Sequence, residues 1–216
     1  MHTDSTHVNR KAAQSAATRD RLVEVARRLF AERGYAAVGT EEIVRDAGVT
    51  RGALYHQFTD KRDLFRAVFE AVEAEVAQRV AESALSRNDP IDQLRVGFTF
   101  WLDACAEPET QRIVLIDAPA VLGWEEWREI GERYGLGIVV AALQGAMDAG
   151  AIERQPVHAL AHVVMGALDE AALYVARADD APAARAEMES VLGRMVETMR
   201  PTSRTSRRSA PAKGLA

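Results

Sequence analysis

A single cysteine, Cys105, excludes any disulfide within the chain and suits a reducing compartment. Its neighbours in FTFWLDAC include no basic residue that would lower a thiol pKa, so Cys105 reads as a small core residue. No apolar run is long enough to cross a bilayer, and the N-terminal MHTDSTHVNRKAAQ lacks the apolar stretch of a signal peptide. The expected location is therefore cytoplasmic, with no membrane partner. No segment alternates apolar and polar residues as a half-buried strand would, and no internal repeat of useful period is found, which leaves an all-α fold.

Signatures of catalysis are absent as well. His158 and His162 lie four apart, but no glutamate stands between them as in HExxH and no third ligand follows at a suitable spacing, so no metal is expected. The run YGLGIVVAALQG lacks the third glycine and the preceding strand of a dinucleotide fingerprint. No nucleophile, base and orienting residue group together, so the chain is assigned no catalytic residue and no cofactor and is not read as an enzyme.

Charge is present but unevenly spread. Lys and Arg against Asp and Glu number 12 and 9 in residues 1–66, 11 and 23 in 67–200, and 4 and 0 in 201–216, giving +3, −12 and +4 and the overall −5. A basic front fits contact with phosphate, and an acidic body would be repelled by nucleic acid and project away from it.

The patterning predicts a first helix from Thr18, with Leu22, Val25, Ala26, Leu29 and Phe30 on one face and Gly34 closing it. Residues 40–61, TEEIVRDAGVTRGALYHQFTDK, then read as two short helices around a tight turn. Thr40 is expected as N-cap of the first, Ile43, Val44 and Ala47 as its apolar face, and Gly48 as its left-handed stop. Thr50 caps the second, in which Ala53, Leu54 and Phe58 pack inward and Arg51, Gly52, Tyr55, His56 and Gln57 stay available to a partner. This is the pattern of a helix-turn-helix, whose second helix enters the DNA major groove. Asp60, with Asp63 reaching back, caps a long fourth helix. Asp89-Pro90 and Glu107-Pro108 start further helices, and breaks are expected near Pro119, Gly150 to Pro156 and Asp179 to Pro182.

From Thr18 to Val72 the chain resembles the N-terminal domain of the TetR family of bacterial transcriptional regulators: ERGY, the small turn after Ala47, GALYHQF and DKRDLF occur in order and at the family's spacing. Many members carry histidine where this chain has Gln57. The resemblance, with the patterning, implies about nine helices. The polar, unpatterned residues 1–16 read as a disordered arm and the apolar-poor residues 201–216 as a disordered basic tail, and the resemblance implies a DNA-binding domain over 17–66 and a helical effector-binding and dimerisation domain over 67–200. It assigns Thr40, Tyr55, His56 and Lys61 to the phosphate backbone, and Thr50, Arg51, Gly52 and Gln57 to the front of the recognition helix.

Two apolar seams mark the C-terminal part: Val157, Leu160, Ala161, Val164, Leu168, Ala171 and Val175 on one helix, and Met188, Val191, Leu192, Met195, Val196 and Met199 on the next. Two copies packed as a four-helix bundle would cover both, in keeping with the family's homodimer and a palindromic double-stranded DNA operator. The resemblance implies a pocket in the body for a small hydrophobic effector. Candidate lining residues are Phe98, Trp101, Trp124, Trp127, Tyr134, Met165 and Asp169, with Phe100, Met147, Asp117, Gln144 and His162 as further candidates. The function implied is a ligand-responsive repressor released from its operator by effector. An activator or co-repressor-dependent regulator is the alternative; a helical ligand-binding protein that does not read DNA is disfavoured by the intact Thr50 to Lys61 set.

Overall fold

The computed structural model describes the backbone of residues 4–201 and the side chains from residue 12 onward. The described residues form nine helices and no strand. In chain order these are α1 (Asp4–Arg33), α2 (Thr40–Ala47), α3 (Arg51–Gln57), α4 (Lys61–Leu85), α5 (Pro90–Ala106), α6, α7 (Trp124–Asp148), α8 (Val157–Arg177) and α9 (Ala181–Thr198). Helix α6 has three parts: Pro108–Thr110, a π-helical Gln111–Asp117 and Ala118–Leu122.

Most helix ends obey the local chemistry expected of them. Gly34 and Gly48 take left-handed φ values of 79° and 63° after α1 and α2. The Thr50 hydroxyl accepts from Ala53 N at 3.1 Å, and the Asp60 carboxylate accepts from Asp63 N at 2.8 Å. Asp89 caps α5 with Pro90 behind it.

Four expectations are corrected. Helix α1 begins at Asp4, so the described part of the 1–16 arm is helical. Neither Pro nor Gly interrupts the chain before Gly34, and the Ala-rich KAAQSAA favours helix. Of the tail, only Pro201 lies among the described residues. The N-cap of α2 is Gly39, which makes Thr40 its first helical residue. Pro119 does not break the chain; the break falls at Gly123, with φ 85°. In the π register, Ala118 N donates to the Ile113 carbonyl, so residue 119 would donate next to Val114. Proline has no N–H to give, and the Trp127 indole N–H takes the Val114 carbonyl at 2.8 Å.

Fourth, α8 with its 21 residues is long and apolar enough, by length and composition, to cross a membrane, although no such stretch was expected. Its seam is instead consumed within the chain: Ala161, Val164, Leu168 and Ala171 join Leu192 and Val196 of α9 and Leu94, Phe98 and Leu102 of α5 in one core. The two seams thus cover each other to a large extent, and the apolar residues left outward are Val163, Tyr174 and Val191.

A second core runs without interruption from α1 to α3 into the body. Phe30, Ile43, Leu54, Phe58 and Phe65 pack in one cluster with Ile113, Val114, Leu115, Trp127 and Ile130. Phe30, Tyr35 and Phe65 meet at ring-centroid distances of 5.1–5.6 Å. Ion pairs reinforce this join: Arg27 of α1 forks onto Glu109 of α6 at 2.7 and 2.8 Å and reaches Glu75 of α4 at 2.7 Å.

Candidate nucleic-acid interface and ligand cavity

Leu54 and Phe58 are fully buried, which turns the opposite face of α3 to solvent. Thr50, Arg51, Gly52, Tyr55 and His56 are all exposed there. Around Gly52 only Thr50 Oγ1 lies within 4 Å of where a Cβ would stand, so a flat partner can approach the helix closely. Arg51 lies over the Tyr55 ring at 5.5 Å and 3.7 Å from Glu41, contacts weak enough to be exchanged for a DNA group. At the start of α2, Gly39 brings no capping side chain, so the first-turn N–H groups of Thr40 to Glu42 face outward for an anion.

Two predicted contacts are placed differently. Gln57 is half-buried, and its amide donates to Ser15 Oγ at 2.7 Å. Its carbonyl accepts from Arg19, whose guanidinium covers Phe58. Lys61 donates to the Tyr35 carbonyl at 2.6 Å and lies 4.0 Å from the centre of that ring. Burial holds its ammonium pKa below the usual lysine value.

A cavity of about 90 Å³ opens between α4, α5, α7 and α8. Phe98 and Trp101 of α5, Trp127 of α7, and Met165 and Asp169 of α8 are among the residues that line it. Trp124 and Tyr134 do not. Trp124 is 57% exposed and stacks outside on Trp127, and Tyr134 packs against the core that contains Phe65. Asp117, Gln144 and His162 also lie elsewhere: Asp117 accepts from Tyr35 N, Gln144 donates to Asp148, and His162 faces Glu132.

Several cavity residues escaped the sequence reading, and one of them is a buried acid. Glu73 of α4 is 5% exposed, with no hydrogen-bond partner among the described residues. Burial, with the nearby Asp169 carboxylate adding to it, raises its pKa to about 8. Asp169 itself is pushed up to about 6 by burial, despite Arg128 at 3.5 Å. In the heptad-like run AVFEAVEAEV, Glu73 is one of three glutamates; its place beside buried Phe69, Val72 and Val76 was the available signal. Cys105, as expected, is a buried core residue whose thiol pKa burial raises.

A chain of specific bonds runs from the cavity to Tyr35, after α1, and to the start of α4. Trp127, a cavity wall, holds the Val114 carbonyl in the π-helical part of α6. At the end of that part, Asp117 accepts from Tyr35 N at 2.7 Å and lies 3.4 Å from Arg112. The Arg112 guanidinium packs over Gly34, where any side chain would collide with it. The Tyr35 carbonyl receives Lys61, the first residue of α4, while Arg62 donates to the carbonyls of Val121 and Leu122.

Comparison with known proteins agrees with this arrangement. Residues 22–68 match the bacterial regulatory proteins of the tetR family, and residues 91–199 match the tetracyclin repressor-like C-terminal domain. The HTH-type transcriptional regulator AcrR of Shigella flexneri is 36% identical over 108 residues, 49% of this chain and 50% of AcrR. The chain thus spans about half the length of that curated relative. RolR, solved in complex with resorcinol, shares the fold at 22% identity and a TM-score of 0.69, over 85% of this chain and 89% of RolR. A TetR-family transcriptional regulator from Pectobacterium atrosepticum superposes with a TM-score of 0.79 at 33% identity, over 87% of this chain and 96% of that one. With an exposed helix-turn-helix face, a helical body around a cavity, and both halves matched, the chain belongs to the TetR family of bacterial transcriptional regulators.

Proposed function

We propose that this protein is a cytoplasmic repressor that occupies a palindromic operator as a homodimer and leaves it when a small hydrophobic effector enters the cavity. The observation that carries the reading is the unbroken bonded path from the cavity wall at Trp127, through the π-helical turn and Asp117, to Tyr35 beside the recognition unit. Functionally the chain divides near residue 66 into a DNA-reading part and an effector and dimer part. Thr50, Arg51 and Gly52 read bases; the start of α2, Tyr55, His56 and Lys61 meet phosphates, Lys61 with the donors left after its bond to Tyr35. Gln57 serves to fix α3 against α1. Outward Val163 and Tyr174 of α8 and Val191 of α9 supply the apolar centre of the dimer face.

The cavity size explains why a ligand acts at all. An apolar cavity of roughly 150 Å³ accommodates benzene, so even a one-ring guest must widen the 90 Å³ present here. RolR, of the same fold, was solved with the one-ring compound resorcinol, which supports an effector of that size. A ligand that binds the widened state better shifts the population toward it, and a coupling of about 1 to 3 kcal/mol changes operator affinity roughly 5- to 150-fold.

A protection footprint on the DNA upstream of the protein's own gene, repeated at rising salt, tests the reading. The expected result is a short protected palindrome that survives moderate salt and is lost with effector. Diffuse protection that melts with salt would mean phosphate affinity alone. Protection that strengthens with effector would replace derepression by co-repression or activation.

The path itself makes a separate prediction. Asp117→Ala removes the acceptor of the Tyr35 N–H and should cost about 1 to 3 kcal/mol of stability. In fluorescence anisotropy, its operator affinity should respond much less to effector than that of the wild type. Asp117→Asn, which keeps an acceptor oxygen, should restore most of the response. An undiminished response in the alanine variant would place the coupling elsewhere.

A further inference from the structure

Within the cavity, charge is confined to one end. Helix α4 runs along it from Glu73 to Ala84, eleven residues or about 16 Å. Glu73, Arg128 and Asp169 gather at the first end of a cavity that Trp101 and Trp127 also line, while Val80, Ala84 and Val139 line the far end with Gln93, whose amide donates to the Arg87 carbonyl. Arg128 is already matched, by Glu132 at 3.1 Å and Asp169 at 3.5 Å. Glu73 is matched by nothing among the described residues: the charge acting on it is a second carboxylate, Asp169, and Trp101 and Trp127 line the same cavity.

An unpartnered carboxyl that is nine-tenths buried is costly to keep, and its surroundings select what would relieve it. An anion would meet Glu73 and Asp169 and find Arg128 occupied. A neutral apolar guest would leave the carboxyl as it is. A cation satisfies it and also gains from the electron-rich faces of Trp101 and Trp127. We infer that the Glu73 end of the cavity is a binding site for the ammonium head of a small aromatic or aliphatic amine, whose apolar part lies along α4 toward Ala84. This inference rests on the reading of the cavity as the effector site.

The charge balance of the step is explicit. In the empty protein Glu73 carries its proton at neutral pH, since its pKa is about 8. The arriving ammonium favours the carboxylate, so one proton passes to solvent and the charge of the cavity is unchanged. Ammonium affinity should therefore rise with pH up to about 8, roughly tenfold per unit at most, and level off above it. The other charged and titratable groups acting at this end are Asp169 of α8, Arg128 and Glu132 of α7, and Cys105 of α5, with His162 outside the cavity beside Glu132. Asp169 titrates near 6, so the contribution of Glu73 is isolated by comparison with Glu73→Gln.

The test is calorimetric titration of the full chain, without DNA, with three probes of similar size: 2-phenylethylammonium, 2-phenylethanol and phenylacetate. At pH 8.5 the ammonium should bind roughly 10- to 100-fold more tightly than the alcohol, the range expected of a charged hydrogen bond. In Glu73→Gln that preference should shrink to about twofold and lose its rise between pH 6 and 8, with alcohol binding retained. Equal binding of ammonium and alcohol by the wild type would overturn the inference while leaving the cavity as an effector site. Tightest binding of phenylacetate would overturn it in favour of Arg128 as the anchor. If none of the three binds, the cavity reading and the inference fall together.

Discussion

Arg51→Ala should abolish most operator selectivity while leaving the protein folded. Arg51 is 66% exposed and its one ion pair among the described residues, with Glu41 at 3.7 Å, is weak, so the folded state should lose no more than about 0.5 kcal/mol. On DNA the position is different. A guanidinium at the front of a recognition helix can bond guanine O6 and N7 together, and each such pair discriminates by about 1 to 3 kcal/mol. A two-fold dimer presents it twice, so the loss doubles to about 2 to 6 kcal/mol, roughly 30-fold to 20,000-fold in the ratio of operator to non-specific affinity. The comparison to make is variant against wild type on the footprinted operator and on scrambled DNA, each over a salt series. Operator affinity should fall toward the scrambled value with the salt slope little changed, because Arg51 is assigned to a base and the slope counts phosphate contacts. If Arg51→Ala still separates operator from scrambled DNA by the full wild-type ratio, Arg51 does not read a base.

The recognition unit was legible because its information is local. Thr50 capping α3, Gly48 ending α2, and buried Leu54 and Phe58 are each decided within four residues of sequence, and the structure places all of them as expected. What escaped was decided by contacts between distant segments. Gln57 turns inward because Ser15 lies opposite it, on a helix that starts at Asp4. Lys61 faces Tyr35, which lies 26 positions earlier in the chain. The π-helical turn depends on Trp127 reaching back to Val114, and no spacing rule announces that.

The cavity shows the same division. Residue type pointed to five lining residues that hold their places, four of them aromatic or methionine, but could not separate them from Trp124 on the surface and Tyr134 in the core. Glu73 was invisible for the opposite reason. A glutamate in a long amphipathic helix is ordinarily on the solvated face, and only the meeting of α4 with α5, α7 and α8 puts this one inside.

That burial has a measurable thermodynamic consequence. The Glu73 carboxyl has a pKa of about 8 in the folded protein against 4.5 for the unperturbed group. Between these values the folded state holds a proton that the unfolded state releases, so stability falls as pH rises from about 4.5 to 8 and is then constant. At about 1.4 kcal/mol per unit, the loss is about 3 kcal/mol at pH 7 and about 5 kcal/mol above pH 8. Glutamine has nearly the shape of the protonated acid and never ionises, so Glu73→Gln should escape the loss. The variant should match the wild type near pH 4, exceed it by about 3 kcal/mol at pH 7, and gain nothing more above pH 8. Urea unfolding of both proteins at matched concentration across this range measures the difference directly, and groups common to both, Asp169 among them, largely cancel. A difference that stays flat with pH would mean that Glu73 ionises normally, and with it would go the picture of a protonated acid waiting at the end of an apolar cavity.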